Sequence, residues 1–164
     1  MPRRVRLADW QRLRDLRLRA LADTPQAFAE TLKEAQQLSD DEWKKRVAPS
    51  KESASFVEEA DDRSLIGMAF GVCDASEEVV YLGGMFVDPA RRGTGVGRRL
   101  VEAVESWARE RGAQRIELEV NPEITPALRL YESCGYQPTG NMRQLPSHPS
   151  ATAIEMAKPI TPTR

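Results

Sequence analysis

The chain has 164 residues, one domain's worth of polypeptide, and 40% of them are hydrophobic, enough for a core without disulfide or metal staples. Its 24 basic residues nearly cancel 25 acidic ones, and a formal net charge of −1 supplies no global field for nucleic acid. No apolar run reaches the roughly 18 residues of a membrane-spanning helix. The two cysteines, Cys73 and Cys134, form neither a CxxC nor a disulfide framework, which fits a reducing, cytoplasmic setting.

Arg3–Leu7 reads as a short first strand. Asp9 follows as an N-cap, and Trp10, Leu13, Leu16 and Ala20 recur at helical spacing. The arginine-rich start has the charge of a transit peptide, but Asp9, Asp15 and the lack of serine before Ser39 oppose that reading. Residues 26–38 are helix-compatible, and Ser39 with Glu42 makes a capping box that opens a helix through Trp43 and Val47. The acidic run Asp40–Glu42 is charge suited to that helix start. Ser53–Ala60, Ser64–Cys73 and Glu78–Val87 read as three strands joined by polar turns at hairpin spacing.

From Gly95 to Arg111 the period changes to 3.6. Val96, Leu100, Val104, Trp107 and Ala108 form one stripe, with Arg99, Glu102, Glu105 and Arg109 opposite. Ile116, Leu118 and Val120 alternate with Glu117 and Glu119, a strand with one apolar face. A further helix runs from Ala127 to Ser133, a proline-rich stretch from Pro138 to Pro149, and a last strand over Ala151–Ala157. The order predicts one α+β (mixed α/β) domain over 1–164 with a largely antiparallel sheet.

The chemistry concentrates where the third strand runs through Met85, Phe86 and Val87 into Pro89 and then Arg92-Gly-Thr-Gly-Val-Gly-Arg98. Glycines at 93, 95 and 97 let backbone amides approach a ligand, and a helix N-terminus adds free donors and a positive dipole end. Arg91, Arg92, Arg98 and Arg99 surround a helix start that disfavours cations, a conflict that a bound polyphosphate resolves. Walker A fails for want of Gly-Lys-Ser/Thr, and the dinucleotide fingerprint fails because position 98 is Arg. ATP or NAD on this loop is therefore a distant alternative. A zinc site needs both cysteines, the single His148 and a carboxylate to converge, so no metal is expected. A hydrolase lacks its Gly-x-Ser-x-Gly.

Arg92-x-x-Gly95-x-Gly97 after Val87-x-Pro89 resembles the acyl-CoA pyrophosphate loop of the GNAT N-acetyltransferase superfamily. Ala127-Leu-Arg-Leu-Tyr131-Glu-Ser-Cys-Gly135-Tyr136 is similar to that family's A-x-x-L-Y-E-x-x-G-F segment. The resemblance covers residues 78 to 158 well and the first half only in the order of its elements. It implies a sheet of six or seven strands splayed between the fourth and fifth, and acetyl-CoA as co-substrate. The pantetheine arm would pair with Met85 and Val87, and the amides from Arg92 to Arg98 would hold the pyrophosphate. Gly83–Gly84 fits a bulge or a close ligand approach. The reaction implied is direct transfer to a small-molecule or protein amine, with Tyr131 protonating the departing thiolate. A homodimer is among the arrangements the resemblance implies; nucleic acid and membrane are not among its partners.

Two departures from the pattern stand out. Some members carry a basic Glu where this chain has Tyr81, and many carry a pantetheine-contacting Asn where it has Ile124. Asn121 lies nearby without inheriting the role. Glu77, Glu78, Glu117 and Glu119 read as solvated strand edges, with a water-relayed base as the alternative. These departures keep a non-catalytic acyl-CoA-binding module open as a second reading.

Overall fold

The structure is a computed structural model and describes residues 1–163. Seven strands form one sheet: β1 (Arg3–Arg4), β2 (Ser53–Glu59), β3 (Leu65–Cys73), β4 (Val79–Val87), β5 (Arg115–Val120), β6 (Gln137–Leu145) and β7 (His148–Pro159). Their spatial order is β1-β2-β3-β4-β5-β7-β6. Every neighbouring pair is antiparallel except β4 and β5, which run parallel from Val79–Arg115 to Leu82–Leu118. Beyond Leu82 the two strands part. β5 stays registered with β7 through Val120, so β4 continues from Gly83 to Val87 with no neighbour on that side.

Period-2 patterning in β2 and β3 feeds two cores, one on each face. On one face α4 (Val96–Glu110) buries Val96, Leu100, Val101 and Val104 against Phe56, Ile66, Val80 and Leu82, joined by α5 (Thr125–Ser133) through Tyr131. On the other, α1 (Trp10–Asp23), α2 (Leu32–Gln36) and α3 (Asp40–Val47) pack Leu16, Leu21, Ala35 and Trp43 against Val57, Met68 and Phe86. The Ser39–Glu42 capping box is present, and the exposed Asp40–Glu42 turn is its first turn.

Several expectations need correction. β1 ends at Arg4, although Val5 still donates to Ser55. Asp9 stands at the N-cap position of α1 as expected, but its side chain does not cap that helix: it is 4% exposed, accepts two bonds from Arg3, at 2.8 and 2.9 Å, and accepts one from the Arg6 amide in the capping box of the short 3-10 turn that precedes α1. That ion pair joins residues six apart, a spacing that brings side chains together in neither a helix nor a strand. Residues 26–38 are not one helix, because a second capping box, Thr31 with Glu34, restarts the chain at α2 and leaves Phe28 extended. The stretch from Pro138 to Pro149 is mostly the β6–β7 hairpin. Pro138 is tolerated because β6 is an edge strand, where a missing N–H costs no ladder bond. Finally, Glu105 is 4% exposed rather than solvated, held by Tyr136, Lys158 and Arg109.

Candidate active site

The parting of β4 from β5 opens a cleft whose two halves share Ala27, Phe28, Met85, Ile124 and Ala127. One half, of about 520 Å³, runs along Met85, Phe86 and Val87 to the glycine loop and is closed by Pro126 and Leu130 of α5. Of the residues singled out by sequence, Met85, Phe86, Val87, Arg92, Gly93, Gly95, Val96, Gly97 and Arg98 line it. Thr94 does not: its hydroxyl turns back to donate to the Arg91 carbonyl at 2.5 Å.

The loop's amides are its main chemical feature. Arg92 donates weakly to Pro89 at 3.4 Å, and the first helical bond of α4 runs from Arg99 to the Gly95 carbonyl at 3.1 Å. Between them, from Gly93 to Arg98, no backbone N–H finds an acceptor among the described residues. Gly93 (φ +76) and Gly95 (φ +89) take the left-handed conformation that turns successive amides to one side, a concave array suited to an anion. Gly97 answers a packing demand instead, since a Cβ there would lie 2.9 Å from Leu130 Cδ2.

The arginines are less uniform than their spacing suggests. Arg99 bridges the loop to buried Glu58, donating from Nη1 to the Thr94 carbonyl at 3.3 Å and standing 2.6 Å from Glu58 Oε1 through Nη2. Arg92 pairs with Asp23 at 2.7 Å and also donates to the Val87 carbonyl. Arg98 bonds only to Ser133, and Arg91 has no carboxylate partner among the described residues. Two of the four are therefore neutralised within the fold, and two remain for a ligand at the helix start.

Strand β4 presents its backbone to the cleft. Asp88 donates to the Ile66 carbonyl, and Phe86 is registered with Met68, so the alternation of an antiparallel ladder turns the amides of Met85 and Val87 away from β3. The register slips by one residue between Met68 and Phe70, and Gly84 sits at φ +63. This is the expected bulge. The space over Gly83 and Gly84 is filled by the Phe70 ring, which would lie 2.6 Å from a Cβ at either position.

The second half of the cleft, of about 390 Å³, is lined by Tyr81, the β4 bulge, Glu119, Asn121, Arg143 and Tyr131. The Ala127–Tyr136 segment places Tyr131 by its cap. Gly135 (φ +93) donates to Glu132, and Tyr136 donates to Tyr131, both at 3.0 Å, the paired bonds of a Schellman motif. The accompanying contact is Tyr131 against Tyr136, edge to face with ring centroids 6.1 Å apart. Tyr136 donates its hydroxyl to Glu105 at 3.1 Å, whereas the Tyr131 hydroxyl has no partner among the described residues. Burial, and then the neighbouring Tyr81 and Cys134, push the Tyr131 phenol well above its ordinary value, so it stays protonated at neutral pH.

Sequence reasoning missed the residues of Phe28, Arg17, Glu30 and Arg143 that complete this half. They come from α1, an extended segment and β6, and no local spacing joins them. Glu119 faces the cavity rather than bulk solvent and pairs with Arg143 at 2.5 Å. Asn121, 3% exposed, ties the β5–α5 loop through its bonds to Gln26 and Glu123. Among the described residues no group of three metal-ligating side chains converges, and no helix is long and apolar enough to cross a membrane.

The chain matches the acetyltransferase (GNAT) family across residues 10–136 and belongs to it. A mycothiol acetyltransferase of Thermobispora bispora is 32% identical over 149 residues, 83% of this chain and 48% of that protein. Aminoglycoside N(6')-acetyltransferase type 1 of Salmonella typhimurium is 32% identical over 97 residues, 52% of this chain and 63% of the relative. The chain thus spans less than two-thirds of the length of these relatives. In fold, a GNAT-family acetyltransferase of Streptococcus pneumoniae aligns over 98% of both chains with a TM-score of 0.84 at 18% identity.

Proposed function

We propose that the chain is an N-acetyltransferase that moves an acetyl group from acetyl-CoA to a primary amine by direct attack in a ternary complex. The observation that carries this reading is the run of unpartnered amides from Gly93 to Arg98 at the mouth of a cleft that ends at a free tyrosine hydroxyl. A diphosphate satisfies those donors, and Arg91 and Arg98 add charge at the same place. The amides of Met85 and Val87 hold the pantetheine arm as an added strand and polarise the thioester carbonyl. The bound thioester supplies the activated acetyl group.

The amine nitrogen bonds to the carbonyl carbon, the C–S bond breaks, and Tyr131 gives its proton to the departing sulfur. A phenol that stays protonated at neutral pH, with its hydroxyl left free at the cleft, holds a proton for that donation. The amine's surplus proton leaves through the cleft and a proton returns to the Tyr131 phenolate, so the protein ends the cycle with no net change in charge. Much of the rate comes from holding the two reactants in one cleft. A cytoplasmic setting and self-association through the exposed edge of β6 complete the proposal.

One observation favours the second reading, an acyl-CoA-binding module without turnover. Both carboxylates that face the reacting end, Glu30 and Glu119, are already paired with arginines. The experiment is calorimetry with acetyl-CoA followed by thiol release across an amine panel. Binding with amine-dependent release is the expected result. Binding with no release from any amine would favour the module, and no binding would remove both.

A further inference from the structure

Beyond the β4 bulge the cleft continues into a third cavity, of about 330 Å³, between α1, α3 and the sheet. It meets the Tyr131 half at Arg17, Glu30, Phe70 and Gly84. The charged side chains of this end are three arginines, Arg17, Arg46 and Arg143, and two glutamates, Glu30 and Glu119. They do not pair evenly. Arg46 takes both oxygens of Glu30, at 2.8 and 3.3 Å, and Arg143 takes Glu119 at 2.5 Å.

Arg17 is left over. Its side chain is only 14% exposed, its nearest carboxylate oxygen is Glu30 Oε1 at 3.9 Å, and its guanidinium makes no hydrogen bond among the described residues. The guanidinium lies over the Phe28 ring, 4.7 Å from its centroid, which fixes its plane. Its Nη1 would stand 3.6 Å from a Cβ on Gly84, beside the bulge where β4 bends. Burial pushes Arg17 below its usual value, opposed by Glu30. A guanidinium stays charged even so, and its donors then face the cavity unused.

We infer that Arg17 is the docking point for a carboxylate on the acceptor, so that the amine acetylated here belongs to an amino acid or a similar small carboxylated amine. This rests on the acetyltransferase reading above. A carboxylate would meet the planar donors in bidentate fashion, in a site already dry on the Phe28 side. It would leave the amine on the Gly84 side, where this cavity opens into the Tyr131 half of the cleft. A polycationic acceptor, such as the aminoglycoside in the name of one relative, would bring further positive charge against a guanidinium that only the Glu30 carboxylate, 3.9 Å away, offsets.

The test uses the full chain saturated with CoA, and reads thermal stabilisation by a pool of L-amino acids against the same pool as carboxamides. In parallel, thiol release from acetyl-CoA is measured with both pools and with spermidine and kanamycin. The expected result is stabilisation and turnover by the acids, weakened about 30-fold or more in the amides, as for a desolvated ion pair that loses one partner. Arg17→Gln should raise the acceptor KM by a similar factor while acetyl-CoA affinity holds, and Arg17→Lys should recover part of it. If neither pool stabilises the CoA complex, or amides and polyamines do as well as acids, the inference falls while CoA binding leaves the cleft's assignment intact. If Arg17→Gln weakens acids and amides alike, Arg17 is packing and the inference also falls. Loss of CoA binding in the wild-type chain would instead strike the acetyltransferase reading itself.

Discussion

Two tyrosines with rings 6.1 Å apart should respond oppositely to the loss of one oxygen. Tyr136 donates to Glu105, a buried carboxylate that Lys158 and Arg109 also hold. Tyr136→Phe removes a bond to a charged acceptor, worth about 1.5–3 kcal/mol, and the remaining partners of Glu105 keep the cost near the lower figure. For a chain of this size that corresponds to a melting temperature lower by about 3–6 °C, with turnover little changed. The Tyr131 hydroxyl has no protein partner to lose, so Tyr131→Phe should shift stability by less than about 0.5 kcal/mol. Its turnover should nonetheless fall by about 100-fold or more, the usual contribution of a positioned acid. The assay is thermal melting beside thiol release at saturating acetyl-CoA, with affinity checked by calorimetry. A Tyr131→Phe variant that turns over within about threefold of wild type would refute the acid assignment. So would a loss of activity explained by a loss of folding.

Other outcomes follow from residues outside the reacting end. The Arg3 guanidinium, overcoming the cost of burial, holds the Asp9 carboxyl down from 3.8 to about 2. A depressed folded value contributes stability above the unfolded pKa that is lost as pH falls through the folded one, so Asp9→Asn should cost about 2 kcal/mol at pH 7. Denaturant titrations should show the gap to wild type closing between about pH 4 and pH 2; a gap independent of pH contradicts this. Gly95→Ala forces a side chain onto φ +89 with its Cβ 3.0 Å from Arg99 Nη1. Calorimetry should show CoA binding weakened about tenfold, from a strain of about 1–2 kcal/mol that reshapes the amide array. Gly140→Ala, equally left-handed at φ +96 but in the β6–β7 hairpin, should leave CoA affinity unchanged, and an equal loss in both would point to general destabilisation.

The segment from β4 through the glycine loop into α4 was legible because each of its features is local. The apolar stripe of α4, the left-handed glycines and the Schellman cap at Gly135 all write themselves into short spacings. The splay between β4 and β5 followed from the family resemblance and not from periodicity. What stayed hidden depends on contacts between distant segments. Glu105 looks like a solvent residue by helical phase, yet Tyr136, in the cap just beyond α5, and Lys158, on β7, approach it. Arg92 and Arg99 look like phosphate ligands by position, yet Asp23 and Glu58 neutralise them from α1 and β2. The end of the cleft around Arg17 and Tyr131 is assembled from α1, the extended Phe28 segment, the β4 bulge and β6, none of which carries a motif alone. β6 itself was obscured by Pro138, which signals a break everywhere except at a sheet edge.

The account turns on main-chain donors at one helix start gripping a diphosphate. A titration of CoA into isotope-labelled chain, followed amide by amide in nuclear magnetic resonance spectra, reads those donors directly. The amides from Gly93 to Arg98 should shift most, together with Met85 and Val87 and in step with the calorimetric saturation. Saturation with those signals unmoved, and changes confined to other faces of the sheet, would contradict the account.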